Sequence, residues 1–384
     1  MSDRLDAQIN FLSQADRLKS VDRQNVLQDF SRPENSAEHS WHTALFALVL
    51  DHPLISSEFQ RDEVISHILL HDIVEIDAGD HPIHLNHDIH EVAQKERDAA
   101  NRLFGLLPRD QSKELRANWD TFEASSTINA QAAKQIDFLQ PIIQASAPKQ
   151  HLADQISVVL GNLTGGRARN LHVDWPDAFA HVNALIHNKP CENTRMAQQL
   201  DFLIEADRLK SVYRATRLHD GSRFENSAEH SWHIALYALI LKEYCPTSCD
   251  IHRVIRMLLI HDIVEIDAGD DPIHGDFDPA DMQRKEAAAA DRIFGLLPAD
   301  QGKNLLRLWH EFEEAQTVDA QFAKALDRMP APLANMEIGG GSWHEYNVTV
   351  ADLEARLGVP ISRGAPVLWE WLRPKIVAWY ANSV

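Results

Sequence analysis

Residues 64–137 and 254–327 align without a gap at a constant offset of 190, with 40 identities in 74 positions. Inside that stretch ten residues, HDIVEIDAGD, stand unchanged at His71–Asp80 and His261–Asp270. The likeness continues outside it. ADRLKSV at 15–21 returns at 206–212, ENSAEHSWH at 34–42 returns at 225–233, and FGLLP at 104–108 returns at 294–298. A repeat this long is a duplicated domain rather than a short-period solenoid, since each copy can bury a core of its own. The Pro, Asn and Thr of HNKPCENT read as linker and place the boundary near residue 190. Two domains are expected, 1–190 and 191–384.

Apolar residues recur at three-to-four spacing over Trp41–Leu50, Asp62–Ile76, Glu91–Phe104, Arg109–Phe122 and Ala130–Ile143, and over the matching segments of copy two. That period predicts helices. Gly105 and Pro108 fall where a C-cap and a helix start belong. Strand alternation is absent, so the class is all-α. The tails differ most. Copy two continues through Gly339-Gly340-Gly341-Ser342-Trp343 to a predicted helix at Leu368–Tyr380, where copy one has Gly165-Gly166 and an apolar segment at Ala178–Ile186.

Within HDIVE the His and Glu are four positions apart and the Asp and Glu three, which on a helix sets all three polar groups on one face. Leu69, Leu70, Ile73, Val74 and Ile76 make the segment apolar, so its acids are expected at the edge of a core. Buried charges need a partner, and a cation supplies one. The plainer alternative is a solvated face with an incidental His-Asp pair. Imidazole with carboxylate suits Mn, Co, Mg, Fe or Zn alike.

The order His…His-Asp…Asp resembles the HD-domain metal-dependent phosphohydrolases, and most closely their 5′-deoxynucleotidase branch. The shared features are an R-L-K segment, E-H-S on the next helix, H-D-x-x-E followed by G-D, and a closing Asp. They span about 11–145 and 202–335. The resemblance implies two tandem HD-domain helical bundles, each with one divalent ion. It assigns the ligands as His39, His71, Asp72 and Asp137 in copy one, and His230, His261, Asp262 and Asp327 in copy two. Glu75 and Glu265 match the family's catalytic acid, and Asp80 and Asp270 its second acid. Arg23 and Arg214 match phosphate contacts. Just after each arginine those enzymes commonly carry Trp, whereas this chain has Gln24 and Ala215.

The activity implied is release of phosphate from (deoxy)nucleoside 5′-monophosphates by metal-activated water. The alternatives are another phosphorylated small molecule (an alarmone, cyclic nucleotide or nucleoside triphosphate) or a metal-binding, non-catalytic signalling scaffold. Because the relatives form homodimers, the tandem copies are candidates for an internal pseudo-dimer. A net charge of −20 argues against a long nucleic acid as partner. No apolar run is long enough to cross a membrane, and MSDRLDAQIN shows no signal-peptide pattern, so a cytoplasmic protein is expected. Cys191, Cys245 and Cys249 are read as free thiols.

Other repeated residues have bland readings beside functional ones. Arg17, Lys19, Arg208 and Lys210 are phosphate contacts or solvated helix faces. Glu38 and Glu229 are ligand orienters or cap partners of Ser36 and Ser227. His42 and His233 are structural histidines or site neighbours. Trp41, Trp119, Trp232 and Trp309 are core.

Overall fold

The computed structural model describes residues 2–81, 88–190, 194–270 and 278–382. Cys191 and the opening of the expected second domain lie outside them. The chain is helical nearly throughout, as its periodicity requires. Of the helices that shape the site, copy one carries Ser36–Val49, Glu58–Leu70, Glu75–Ala78, Ile89–Phe104, Arg109–Glu123 and Ile128–Ser146. Copy two matches them with Ser227–Ile240, Ile251–Ile260, Glu265–Ala268, Pro279–Phe294, Ala299–Glu314 and Val318–Asp327. The last of these is followed by a separate helix, Pro330–Glu337. Gly105 caps the helix ending at Phe104, and Pro108 precedes the next.

Two details depart from the period. Each copy adds a two-stranded antiparallel ribbon, Asp22–Val26 with Pro33–Asn35 and Tyr213–Arg217 with Phe224–Asn226. These strands are too short and too polar to show alternation. The segment expected as one helix over Asp62–Ile76 breaks at His71–Val74. There the backbone bonds run three residues back, Ile73 N–H to Leu70 O at 3.3 Å and Glu75 N–H to Asp72 O at 2.9 Å.

The chain divides into two compact units. The first comprises Met1–Arg17, Leu209–Arg292 and Lys303–Val384, the second Leu18–Arg208 and Ile293–Gly302. Each unit therefore takes its opening helix from the opposite sequence copy. Ser2–Ala15 buries Leu5, Ile9, Phe11 and Leu12 in the first unit, where Leu12 O accepts a 2.9 Å hydrogen bond from His233. Arg195–Ala206 buries Leu200, Phe202 and Leu203 in the second, where Leu203 O accepts at 2.8 Å from His42. An amphipathic helix settles where its apolar face is covered, and covalent order does not say where that is.

The tail of copy two ends in the expected helix, here Pro366–Asn382. Its three glycines form a turn with φ of 76°, 119° and 45°, closed by Gly340 N–H to Asn335 O at 2.7 Å. Cys245 and Cys249 are not free thiols. They are joined by a disulfide with Cα atoms 6.0 Å apart, because the tight turn between them brings the two side chains together. No helix among the described residues is long and apolar enough to cross a membrane.

Candidate metal centre

The site is assembled where three helices and one ribbon strand converge. A capping box starts the His39 helix. Asn35 Oδ1 accepts from Glu38 N–H at 2.9 Å, and Glu38 returns the bond to Asn35 N–H at 2.9 Å. Ser36, expected as the cap, sits one residue inside it. The tightened turn at His71–Val74 then makes Asp72 and Glu75 eclipse, as residues three apart do in a 3-10 arrangement. Asp137 arrives from Ile128–Ser146, and Arg23 from the ribbon.

In copy one His39 Nε2 lies 2.9 Å from Asp137 Oδ1. His71 Nε2 lies 3.1 Å from Asp72 Oδ1 and 3.4 Å from Asp137 Oδ1. Asp72 Oδ2 stands 3.8 Å from His39 Nε2. In copy two the corresponding separations are 3.1 Å for His230 to Asp327, 2.9 Å for His261 to Asp262 and 3.8 Å for His261 to Asp327. The nearest ligand atoms of the two histidines and the closing Asp fall within 4.8 Å of one another in both copies. Ligands held about 2.0–2.2 Å from one cation stand about this far apart.

Hydrogen bonds fix which ring nitrogen faces inward. His71 Nδ1 donates to Ile68 O at 2.7 Å and His261 Nδ1 to Leu258 O at 2.9 Å. Their Nε2 atoms are left buried, without a hydrogen-bond partner among the described residues. Each of these nitrogens faces carboxylate oxygens, and in its unprotonated form it completes with them a donor set that a divalent cation would match. The donor set therefore fits a divalent ion, and oxygen with imidazole nitrogen leaves its identity open.

The acids divide into two kinds. Burial opposes ionisation of Asp137, but the adjacent imidazoles of His39 and His71 outweigh it and hold the carboxyl well below its usual range. Asp327 is likewise held low against burial, with Arg328 and then His230 responsible. Glu75 goes the other way. Burial and then Asp72 push its carboxyl well above the usual range, against the pull of Arg23. Burial, Asp262 and Asp270 do the same to Glu265, against Arg214. Burial also raises Asp80 and Asp270, with the same arginines opposing.

Arg23 Nη1 lies 2.8 Å from Asp72 Oδ2, 3.8 Å from Glu75 and 3.9 Å from Asp80. Arg214 Nη1 lies 2.9 Å from Asp262. Each arginine lines a cavity, of about 530 Å³ in copy one and 630 Å³ in copy two, that opens onto the candidate ligands.

All twelve residues that the resemblance singles out for metal and acid roles, with both arginines, stand in two matching sites. Lys19 and Lys210 do not join them; they are buried at 1% and 0% exposure, while Arg17 and Arg208 face solvent. Glu38 is a cap partner that also holds Arg32. His42 touches the site at one remove. Gln140 Nε2 lies 3.1 Å from His42 Nδ1, and Gln140 Oε1 lies 2.8 Å from His39 Nδ1. Copy two has Pro330 in place of Gln140, and His230 Nδ1 instead stands 3.3 Å from Glu225. Trp119 and Trp309 are core residues that also donate to the carbonyls of His71 and His261, each at 3.1 Å. Sequence reasoning missed Ser36 and Ser227, whose hydroxyls donate to Glu75 and Glu265 at 2.5 Å. Their exact repetition was the available signal.

A family model described as HD domain matches residues 15–178 and again 206–369. The chain belongs to the HD domain family. Among curated proteins, 5′-deoxynucleotidase HDDC2 of Homo sapiens is 31% identical over 139 residues, covering 36% of this chain and 66% of that protein. The Bos taurus protein of the same name is 32% identical over 139 residues, with the same coverage. This chain thus spans just under two thirds of either relative's length. A 5′-deoxynucleotidase of Pasteurella multocida is 27% identical over 146 residues, or 35% of this chain and 72% of the relative. A crystal structure of a predicted metal-dependent phosphohydrolase from Magnetospirillum magnetotacticum shares 46% identity, covers 50% of this chain and 96% of its own, and has a TM-score of 0.47.

Proposed function

We propose that this HD-domain protein is a divalent-metal phosphohydrolase that releases phosphate from (deoxy)nucleoside 5′-monophosphates, with one site built from each of the two sequence copies, 1–190 and 191–384. The observation that carries the reading is the pair of buried, inward-facing Nε2 atoms at His71 and His261. Each is ringed by carboxylates and sits beside a partly buried arginine and a glutamate whose carboxyl burial pushes well above its usual range. The names of the relatives support the substrate class.

His39, His71, Asp72 and Asp137 would hold one ion, and His230, His261, Asp262 and Asp327 the other. When bound, the ion supplies Lewis acidity toward a phosphoryl oxygen and toward the attacking water. The protein does the rest by placement and proton transfer. Arg23 and Arg214, fully protonated and lining the cavities, carry the positive charge that a phosphoryl group meets. Water attacks phosphorus, the bond from phosphorus to the ester oxygen breaks, and the departing alkoxide needs a proton. Glu75 and Glu265, whose carboxyls burial keeps protonated well above the usual range, are placed to give it. The hydroxyls of Ser36 and Ser227 fix one oxygen of each acid.

A phosphate-release screen over nucleoside mono-, cyclic and triphosphates with Mn, Co or Mg tests the reading. Release from 5′-monophosphates, lost in Asp72→Ala with Asp262→Ala, is the expected result. Turnover confined to cyclic or triphosphate substrates, or surviving the double variant, would overturn it.

A further inference from the structure

Each cavity has its own copy of one wall, and the chemistry of that wall differs between the two. In copy one the helix Ile128–Ser146 lines the cavity with Phe138, Pro141 and Ala145 next to Asp137. The spacing puts these three residues on one helical face. The matching positions in copy two are Arg328, Ala331 and Asn335, next to Asp327.

The tails change in the opposite sense. Copy one follows Gly165-Gly166 with Arg167, whose guanidinium stands 5.5 Å from the Phe138 ring centre. Copy two follows its three glycines with Trp343 and Tyr346, both lining the cavity. The positive φ at Gly339–Gly341 makes that turn possible, and a Cβ on Gly340 would strike the His344 ring. Copy one has a ring on the wall and a cation on the tail. Copy two has a cation on the wall and rings on the tail.

The exchange moves a positive charge from beside the Phe138 ring in copy one to beside Asp327 in copy two. Arg328 Nε lies 3.7 Å from Asp327 Oδ2, beyond hydrogen-bonding distance; its side chain is 29% exposed and lines the cavity. A guanidinium so placed suits a phosphoryl oxygen. We propose that the second cavity selects a nucleotide carrying two phosphoryl groups, one at the metal centre and one on Arg328, with its base against Tyr346. The first cavity, with Phe138 at that position, takes the monophosphate. This inference rests on the phosphohydrolase reading above.

Two one-site enzymes test it. Glu75→Gln leaves only the second centre turning over, and Glu265→Gln only the first. The probes are deoxyadenosine 5′-monophosphate, 3′,5′-bisphosphate and 5′-diphosphate, the last two distinguishing where the second phosphoryl group lies. A charge-assisted contact predicts that the two-phosphate to monophosphate ratio of kcat/KM is about tenfold or more higher for Glu75→Gln than for Glu265→Gln. Arg328→Phe in the first background should erase that excess, Arg328→Lys should retain part of it, and Phe138→Arg in the second should create it. Equal ratios in the two backgrounds overturn the proposal. So does an Arg328→Phe loss that is the same for every substrate, which would mean the arginine acts only through Asp327. If no nucleotide is turned over, the phosphohydrolase reading fails, and calorimetric binding of the same probes to the full-length protein decides the selectivity. Weaker binding of the two-phosphate probes alone in Arg328→Phe supports it, and unchanged binding overturns it.

Discussion

His71 and His261 owe their usefulness to a bond on their far side. With Nδ1 donating to a backbone carbonyl, the imidazole has one tautomer left, and its Nε2 must face the acids. His52 shows the opposite use of burial. It is 4% exposed, its Nδ1 accepts from Leu54 N–H at 3.1 Å, and its ring packs edge-on against Trp175 at 4.3 Å. Burial pushes its pKa down to about 4. The unfolded chain therefore takes up this proton first, near the ordinary value of about 6.5. The stability contribution is complete above that pH and is lost as pH falls toward 4, by up to about 3 kcal/mol. Chemical denaturation of wild type and His52→Gln from pH 8 to pH 4.5 should give curves that converge as pH falls. Parallel curves would refute the assignment. At the acids, Glu75→Gln with Glu265→Gln should lower kcat by about 10²-fold or more in the phosphate-release assay, as loss of a proton donor does.

Among the elements, the helices and their punctuation were legible because an apolar stripe and a Gly or Pro boundary are local signals. The break at His71–Val74 was not. Its residues keep the helical spacing, and only the tertiary demand on His71 and Asp72 shortens the backbone bonds there. The Asn35 cap was misplaced by one residue because Asn and Ser are both good caps, and the ribbon strand ending at Asn35 decides between them. Asn35→Ala should destabilise the protein by about 1 kcal/mol, a typical loss for a helix cap. Urea unfolding reads this directly, and Ser36→Ala should cost less stability while lowering turnover through Glu75. The residues that gather at each centre could be read in sequence since the two copies agree at every one. Gln140 could not, since copy two has Pro330 there, and the repetition of Ser36 at Ser227 marks the residue without naming the acid it bonds, which depends on packing rather than on spacing.

For the molecule as a whole, duplication predicted two cores but not which helix closes each. Phe11 is fully buried in the unit that holds the His230 centre, although it belongs to the first sequence copy. Phe11→Ala should therefore cost about 3–5 kcal/mol. Hydrogen exchange should quicken in Ser227–Ile240 before it does in Ser36–Val49, and the reverse order would contradict the grouping. The central claim is that each unit gathers two histidines and two aspartates around one divalent ion. Titrating Mn²⁺ into metal-free protein, followed by calorimetry, tests it most directly. Two ions should bind per wild-type chain, one per Asp137→Ala chain and none per chain of Asp137→Ala with Asp327→Ala. Two tight sites persisting in the double variant, or none in the wild type, would contradict it.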